Sequence, residues 1–329
     1  MKPAQFLAAI LLFFLALASG ASAQNKVRIN WTAVTGAQSG LHMAKQEKLF
    51  EKYGLDNVEL IHIQSSSRGI QGILAGELAM SFMDGLNTVQ ANLKGANLAL
   101  VVGATNRMVF SLMAKPEFKR IADLRGKKIG ITRAGSSTHT AALYALGSAG
   151  LKSGDYQVLP LLEVPNIFTA LSAGQIDAGV VSPPTNSRAK KAGFAELMNI
   201  GRDGPEYVSV AIGSSRSYIK ANEDVVRRVV RAYTEAIWRF RNDKAAALKM
   251  IEKYLKVKDP DIQDDTWSQF REYLAASPPF VSRKGIEAIV AEVAQTDPQA
   301  KTAKADDFID GRFMAELEKE GFLKKLWGK

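Results

Sequence analysis

The stretch Lys127-Lys128-Ile129-Gly130-Ile131-Thr132-Arg133-Ala134-Gly135-Ser136-Ser137-Thr138, followed by Thr140-Ala141-Ala142-Leu143-Tyr144-Ala145-Leu146, decides the fold. A short β-branched run ends in a Gly-Ser-Ser-Thr turn, and the turn opens a segment of good helix formers, which reads as strand, tight loop and helix start. The first turn of a helix leaves four backbone N–H groups without internal partners, and the helix dipole adds positive potential there. Two readings of Gly135, Ser136, Ser137 and Thr138 follow from the residues alone. Either the hydroxyls cap their own helix, or they join the backbone at Gly135 as donors for the oxygens of a sulfonate, carboxylate or nitrate.

The N-terminus reads as that of an exported protein. Met1-Lys2 is followed by an apolar run from Phe6 to Ala18 and then by Ala21-Ser22-Ala23, a secretory leader with an A-x-A cleavage site, so residues 1–23 are expected to be removed. A run of 13 residues is shorter than the roughly 20 needed to span a bilayer. The 329-residue chain has no cysteine, hence no lipid-attachment cysteine at the cleavage site, no disulfide and no thiolate chemistry. A free protein of a Gram-negative-type periplasm is expected. Removing residues 1–23 leaves 306, enough for two domains. The net charge of +10 is scattered among acids without an interleaved aromatic platform, which argues against nucleic acid and for a solvated basic surface.

Outward from the opening stretch, strands alternate with helices. Val27–Trp31, Val58–Ile63, Leu78–Met83 and Leu98–Val102 read as strands, with helices at 41–50, 68–74 and 86–94 between them. A second series follows through Val158–Leu162, Ile176–Val181, Leu197–Ile200 and Tyr207–Gly213. From Asn222 onward the patterns are helical throughout, the first with an apolar stripe at Val225, Val226, Val229, Val230, Tyr233 and Ile237. Alternation of this kind predicts an α/β fold with a mostly parallel sheet in each series and a C-terminal helical tail.

A weak internal repeat divides the chain. Ile73-Leu74-Ala75-Gly76-Glu77-Leu78-Ala79-Met80 matches Leu171-Ser172-Ala173-Gly174-Gln175-Ile176-Asp177-Ala178 in pattern, and each copy leads to a loop, Asp84-Gly85 in one and Ser182-Pro183 in the other. Two similar lobes are expected, with ligand-facing loops at the carboxyl ends of their strands. By that position the candidates on the first lobe are Gln38 and Ser39, then Gln64, Ser65 and Ser66, then Asp84; Ser182 belongs to the second lobe, and Trp31 is a candidate for stacking on a ligand. An unpaired Asp84 in the cleft implies an N–H or ammonium on the ligand, or a neighbouring arginine, whereas a capping Asp84 does neither. The histidines His42, His62 and His139 show no metal-ligand spacing, and no catalytic motif of the H-E-x-x-H, G-x-S-x-G or P-loop type is present, so no metal, cofactor or enzyme activity is expected.

Ala122-Asp123-Leu124-Arg125-Gly126-Lys127-Lys128-Ile129-Gly130, with Gly135–Thr138 and the Leu171–Ala178 run, resembles the type II periplasmic substrate-binding proteins of ABC transporters. It is most similar to their nitrate, sulfonate and taurine branch, which also holds binders of thiamine pyrimidine precursors. The resemblance covers nearly the whole mature chain. It implies a two-lobed fold whose cleft closes on a solute, with lobe one at 24–106 and 209–329, lobe two at 107–208, and crossings near Thr105–Ser111 and Gly204–Ala211. It also implies a monomer that captures a small organic anion or zwitterion and delivers it to the membrane permease of an ABC importer, with a pyrimidine or aromatic solute as the alternative. In sulfonate binders of the branch the helix-start hydroxyls meet the anion, which matches Ser136, Ser137 and Thr138. Many members carry an acidic or aromatic residue before the proline where this chain has Ser182-Pro183-Pro184, and the cysteine-rich motif of the pyrimidine-synthesising relatives is absent.

Overall fold

The computed structural model describes residues 26–274 and 278–328; the expected leader at 1–23 lies outside the described residues. Two five-stranded sheets organise the chain. The first holds β1 (Val27–Trp31), β2 (Val58–His62), β3 (Met80–Met83), β4 (Leu98–Arg107) and β10 (Glu206–Ser215) in the order β2-β1-β3-β10-β4. The second holds β5 (Ser111–Ala114), β6 (Lys128–Ile131), β7 (Gln157–Pro160), β8 (Ala178–Val181) and β9 (Ala195–Asn199) in the order β7-β6-β8-β5-β9. In each sheet three neighbouring strands are parallel, and one strand runs antiparallel between its neighbours: β10 against β3 and β4, β5 against β8 and β9. The repeat in the sequence is therefore a repeat of sheets.

Parallel strands need a crossover, and short helices supply it. In lobe one these are α1 (Ser39–Gln46), α2 (Leu49–Lys52), α3 (Ser66–Leu74) and α4 (Gly85–Leu93). In lobe two they are α5 (Ser137–Ser148), α6 (Val164–Ser172) and α7 (Thr185–Lys191), while the single turn α8 (Ile200–Asp203) leads from the second sheet back to the first. The one helix expected over 41–50 is broken in two, because Lys48 takes a left-handed conformation (φ 52°) between α1 and α2. The chain passes to the second sheet after Arg107 and is back in the first at Glu206, which pairs with Arg107; β10 thus begins three residues ahead of the expected boundary at 209.

The helical tail comprises α9 (Arg216–Ala221), α10 (Glu223–Asn242), α11 (Lys244–Leu255), α12 (Pro260–Tyr273), α13 (Arg283–Val293), α14 (Arg312–Lys319) and α15 (Phe322–Trp327). On α10, Val226, Val229, Val230, Tyr233, Ile237 and Phe240 are buried, a stripe at helical spacing that packs on α1. Gly40 permits this approach: a Cβ there would lie 2.3 Å from the Tyr233 ring. One tail helix also reaches the second lobe. Lys191 on α7 binds Asp259 (2.7 Å) and Asp261 (3.1 Å) at the start of α12. The Asn186 amide donates to Gln269 (2.9 Å), and the Tyr273 hydroxyl donates to Asn199 (3.1 Å). No helix among the described residues is long and apolar enough to cross a membrane.

Behind the end of β1 the rings form a stack: His62 on Trp31 (centroids 3.9 Å), Trp31 edge-on to His42 (4.9 Å), and His42 on Tyr254 (4.6 Å). His42 is buried and neither ring nitrogen has a hydrogen-bond partner. Burial, reinforced by the charge of His62, lowers its pKa from 6.5 to about 4. The unfolded chain then takes up a proton between about 6.5 and about 4 that the native protein does not, so stability falls as pH falls through that window. Denaturant titrations at pH 7 and pH 4.5 should show His42→Phe losing roughly 2 to 3 kcal/mol less than the wild type on acidification; equal losses would contradict a buried neutral imidazole.

Candidate functional site

The loops after the parallel strands of both lobes face one another and enclose a cavity of about 140 Å³. At roughly 10 to 15 Å³ per water position this is room for about ten water-sized groups. Lobe one contributes Thr32–Thr35, Gln38, Gln64–Ser67, Phe82–Asp84 and Asn87. Lobe two contributes Thr132–Thr138, Leu162–Pro165 and Ser182, and the connecting segments add Thr105, Val109 and Phe110. The walls are mainly apolar, and the charged lining residues are Asp84, Arg133 and Glu163.

Each polar wall is positioned by its own bonds. Gln38 holds the loop after β1: its Oε1 accepts from Thr32 N (2.7 Å) and its Nε2 donates to Thr32 Oγ1 (2.6 Å). The buried Asn30 amide donates to Ser81 (3.0 Å) and accepts from Ile63 N (2.8 Å), which fixes the loop carrying Gln64 and Ser65. Ser65 has a positive φ of 76°, a strained conformation for a residue with a Cβ. Leu162, in the corresponding loop of the other lobe, has φ 71° and an exposed side chain.

In the Gly135 turn the capping arrangement is realised. Gly135 takes φ 70°. Ser136 is the N-cap of α5 and accepts from His139 N, while its hydroxyl donates to Arg133 O (2.7 Å). Thr138 Oγ1 accepts from Thr132 N (2.9 Å) and lies 2.8 Å from Thr132 Oγ1 and 2.9 Å from Ser136 Oγ. These hydroxyls line the cavity yet spend their bonds on the turn. The Ser137 hydroxyl instead faces the Asp84 carboxylate across the cleft.

Asp84 caps α4 by accepting from Asn87 N (2.7 Å) and Asn87 Nδ2 (2.8 and 3.0 Å). Burial pushes its carboxyl above the ordinary range, and the donors Asn87, Ser66 and Ser137 pull the other way. Against burial stand the three donations from Asn87 and the position at the starts of two helices, a setting that favours the charged form.

Polar contacts join the lobes on either side of the cavity. Thr35 Oγ1 lies 3.1 Å from Ser182 Oγ, and the Asn87 amide reaches Gly135 O at 3.4 Å. At the mouth, Gln64 is held from both ends: its Nε2 donates to Glu163 and its Oε1 accepts from Arg133 Nη2 (2.8 Å). The structure thus gathers Gly135, Ser136, Ser137, Thr138, Gln38, Gln64, Ser65, Ser66, Asp84 and Ser182 around one cavity. It does not bring Trp31 or Ser39 there. Trp31 is taken up by the His62 and His42 rings, and Ser39 is fully buried at the start of α1. Sequence reasoning passed over Thr35, Asn87, Thr105, Arg133 and Glu163; the signal for Arg133 was a cation between the strand and the Gly135 turn. No group of three or more His, Cys, Asp or Glu among the described residues is placed to hold a metal ion.

Two lobes, two crossings and a closed cavity at the strand ends define a periplasmic-binding-protein fold, which solved structures share. The periplasmic nitrate-binding protein NrtA from Synechocystis PCC 6803 superposes with a TM-score of 0.75 at 11% identity, covering 90% of this chain and 88% of its own. The alkanesulfonate-binding protein SsuA from Xanthomonas axonopodis pv. citri, bound to MOPS, gives 0.69 at 23% identity, covering 85% and 95%. The chain belongs to the NMT1/THI5 like family, whose profile matches residues 37–247. A protein of Escherichia coli K12, provisionally named as an aliphatic sulfonates-binding protein, is 24% identical over 292 residues, covering 88% of this chain and 85% of its own.

If Gln64 is what holds the mouth shut, Gln64→Ala removes both links at once. Each partly exposed hydrogen bond to a charged group contributes about 1 kcal/mol net, so hydrogen exchange in segments 62–67 and 160–166 should speed up about fivefold or more while β4 stays protected. Unchanged exchange in both segments would show that the mouth is held by something else.

Proposed function

We propose that the protein is an exported solute-binding receptor that captures a small organic anion or zwitterion between its lobes and presents it to the membrane permease of an ABC importer. The observation that carries this reading is the cavity of about 140 Å³, built from the loops of two separate sheets and bridged by side-chain pairs from opposite lobes. Closure removes a solute from water and surrounds it with donors from both sides, which a single open lobe with one helix start cannot do. A lone helix start contributes about 0.3 to 1 kcal/mol to an exposed anion, whereas micromolar binding needs about 8 kcal/mol. Family membership and the names of the relatives support the same class.

Binding rather than turnover is supported by the lining. Among the described residues it contains no histidine, lysine, cysteine or tyrosine, so acid–base chemistry would rest on Asp84 and Glu163, both engaged in hydrogen bonds. Phe82 and Phe110 in the wall favour an aromatic or pyrimidine solute as a second reading. Export through a leader cleaved after Ala23, and function as a monomer, are part of the same proposal.

Thermal unfolding of the mature chain against sulfonates, nitrate, taurine, aromatic carboxylates and pyrimidine amines tests it. A solute at 100 times its Kd stabilises the native state by about 2.7 kcal/mol, which for a chain of about 300 residues is a rise of roughly 4 °C in Tm. A rise with one chemical class supports the receptor and names its solute type; no rise with any class contradicts it.

A further inference from the structure

The turn that the sequence marks for a ligand anion already has an anion against it. Asp84 follows β3 on lobe one, and in the closed cleft its carboxylate faces the Ser137 hydroxyl at the start of α5 on lobe two. The Asn87 side chain ties the same two elements together, donating to Asp84 and to Gly135 O. Asp84 is only 5% exposed. Two other donors of the turn are occupied as well, since the Ser136 hydroxyl bonds Arg133 O, and Gly135 N donates to His139 Nδ1 (3.1 Å). A helix start that faces a fixed carboxylate gives its positive potential to that carboxylate, and a second anion placed beside it is repelled.

Elsewhere in the cavity wall the accounting is the reverse. Among the described lining residues, two side chains have a buried polar atom without a hydrogen-bond partner: Arg133 at Nε, on lobe two, and Thr105 at Oγ1, on β4 beside the hinge. Buried donors are satisfied in native proteins by protein, water or ligand, so these two atoms are where a solute gains most.

We propose that Asp84 determines specificity: it is an internal anion that fills the N-terminal turn of α5 when the cleft closes, and the charge of the solute is read instead by Nε of Arg133, with the Thr105 hydroxyl as the second polar contact. This rests on the cleft being the receptor's solute site. The solute class it names is a compact monoanion with its charged end at Arg133, a hydrogen-bonding group within reach of Thr105 and its body on the Val109–Phe110 wall. Dianions are refused, because Arg133 is the single cationic residue in the described lining and two carboxylates, Asp84 and Glu163, line the same cavity.

Titration calorimetry of the mature protein with benzoate, hexanoate, butanesulfonate, methanesulfonate and sulfate separates the possibilities. Arg133→Gln should weaken the best monoanion at least tenfold, and Thr105→Val should weaken it three- to tenfold. Asp84→Asn and Asp84→Ser keep a capping oxygen for α4 while deleting the charge, and both should gain at least tenfold affinity for sulfate and methanesulfonate. Affinities for these two anions that stay unchanged or fall in both Asp84 variants would overturn the proposal, as would a monoanion bound equally well by Arg133→Gln. Absence of binding by any monoanion to the wild type would instead count against the receptor reading, and a gain of sulfate binding by the Asp84 variants would still be measurable.

Discussion

The architecture depends on one pair of residues in register. Arg107 at the end of β4 and Glu206 at the start of β10 are opposite one another in an antiparallel ladder, so the strand that leaves lobe one and the strand that re-enters it run side by side. The Arg107 guanidinium strengthens the same place by donating to Gly204 O (3.0 Å) and Gly201 O (3.4 Å). Two adjacent connections make a hinge with one main axis, and a hinge of that kind lets each sheet move as a packed body. The cavity then has to form on the side where the parallel strands of both sheets end, which is where it is found.

Given the hinge, the polar groups sort themselves by what they are bonded to. Hydroxyls and amides close in sequence to a strand end, such as Gln38, Ser136 and Thr138, are used to hold their own loops. Groups that cross the cleft, such as Gln64 to Glu163, Thr35 to Ser182 and Asn87 to Gly135, work only when both lobes are present. A hydrogen bond between partly exposed groups is worth about 1 kcal/mol net, so several of them close the cleft firmly enough to enclose a solute and weakly enough to release it. The tail adds a brace on the far side through α12, whose Asp259, Asp261 and Gln269 reach Lys191 and Asn186 on lobe two. These pairs are exposed or partly so, and such pairs contribute little each.

Local physics made most of the fold legible. The β-branched run before Gly135, the hydroxyl cap after it, the two copies ending at Gly76 and Gly174, and the stripe on α10 are all short-range signals, and the elements they predict are present. The break at Lys48 was hidden because an apolar pattern continues through it, and only the left-handed backbone separates α1 from α2. The site was legible in its loops rather than in its roles. Strand-end position identified Gln64, Ser65, Asp84 and Ser182 as lining residues, but whether a hydroxyl caps a helix or faces a solute is settled by neighbours up to 147 positions away, as with Thr35 and Ser182. Arg133 and Glu163 were passed over for the same reason: each acquires its meaning from Gln64 on the opposite lobe. Trp31 read as a stacking platform for a ligand, and it does stack, on the side chain of His62.

Closure is the claim on which both the function and the specificity argument stand, and the cysteine-free chain makes it directly measurable. Spin labels at Arg68→Cys and Asn166→Cys sit beside the mouth on opposite lobes, and pulsed electron paramagnetic resonance reads the distance between them. The account predicts a broad or long distribution in solute-free protein that becomes short and narrow when the monoanion giving the largest rise in Tm is added. One distribution, identical with and without that solute, would contradict binding by closure.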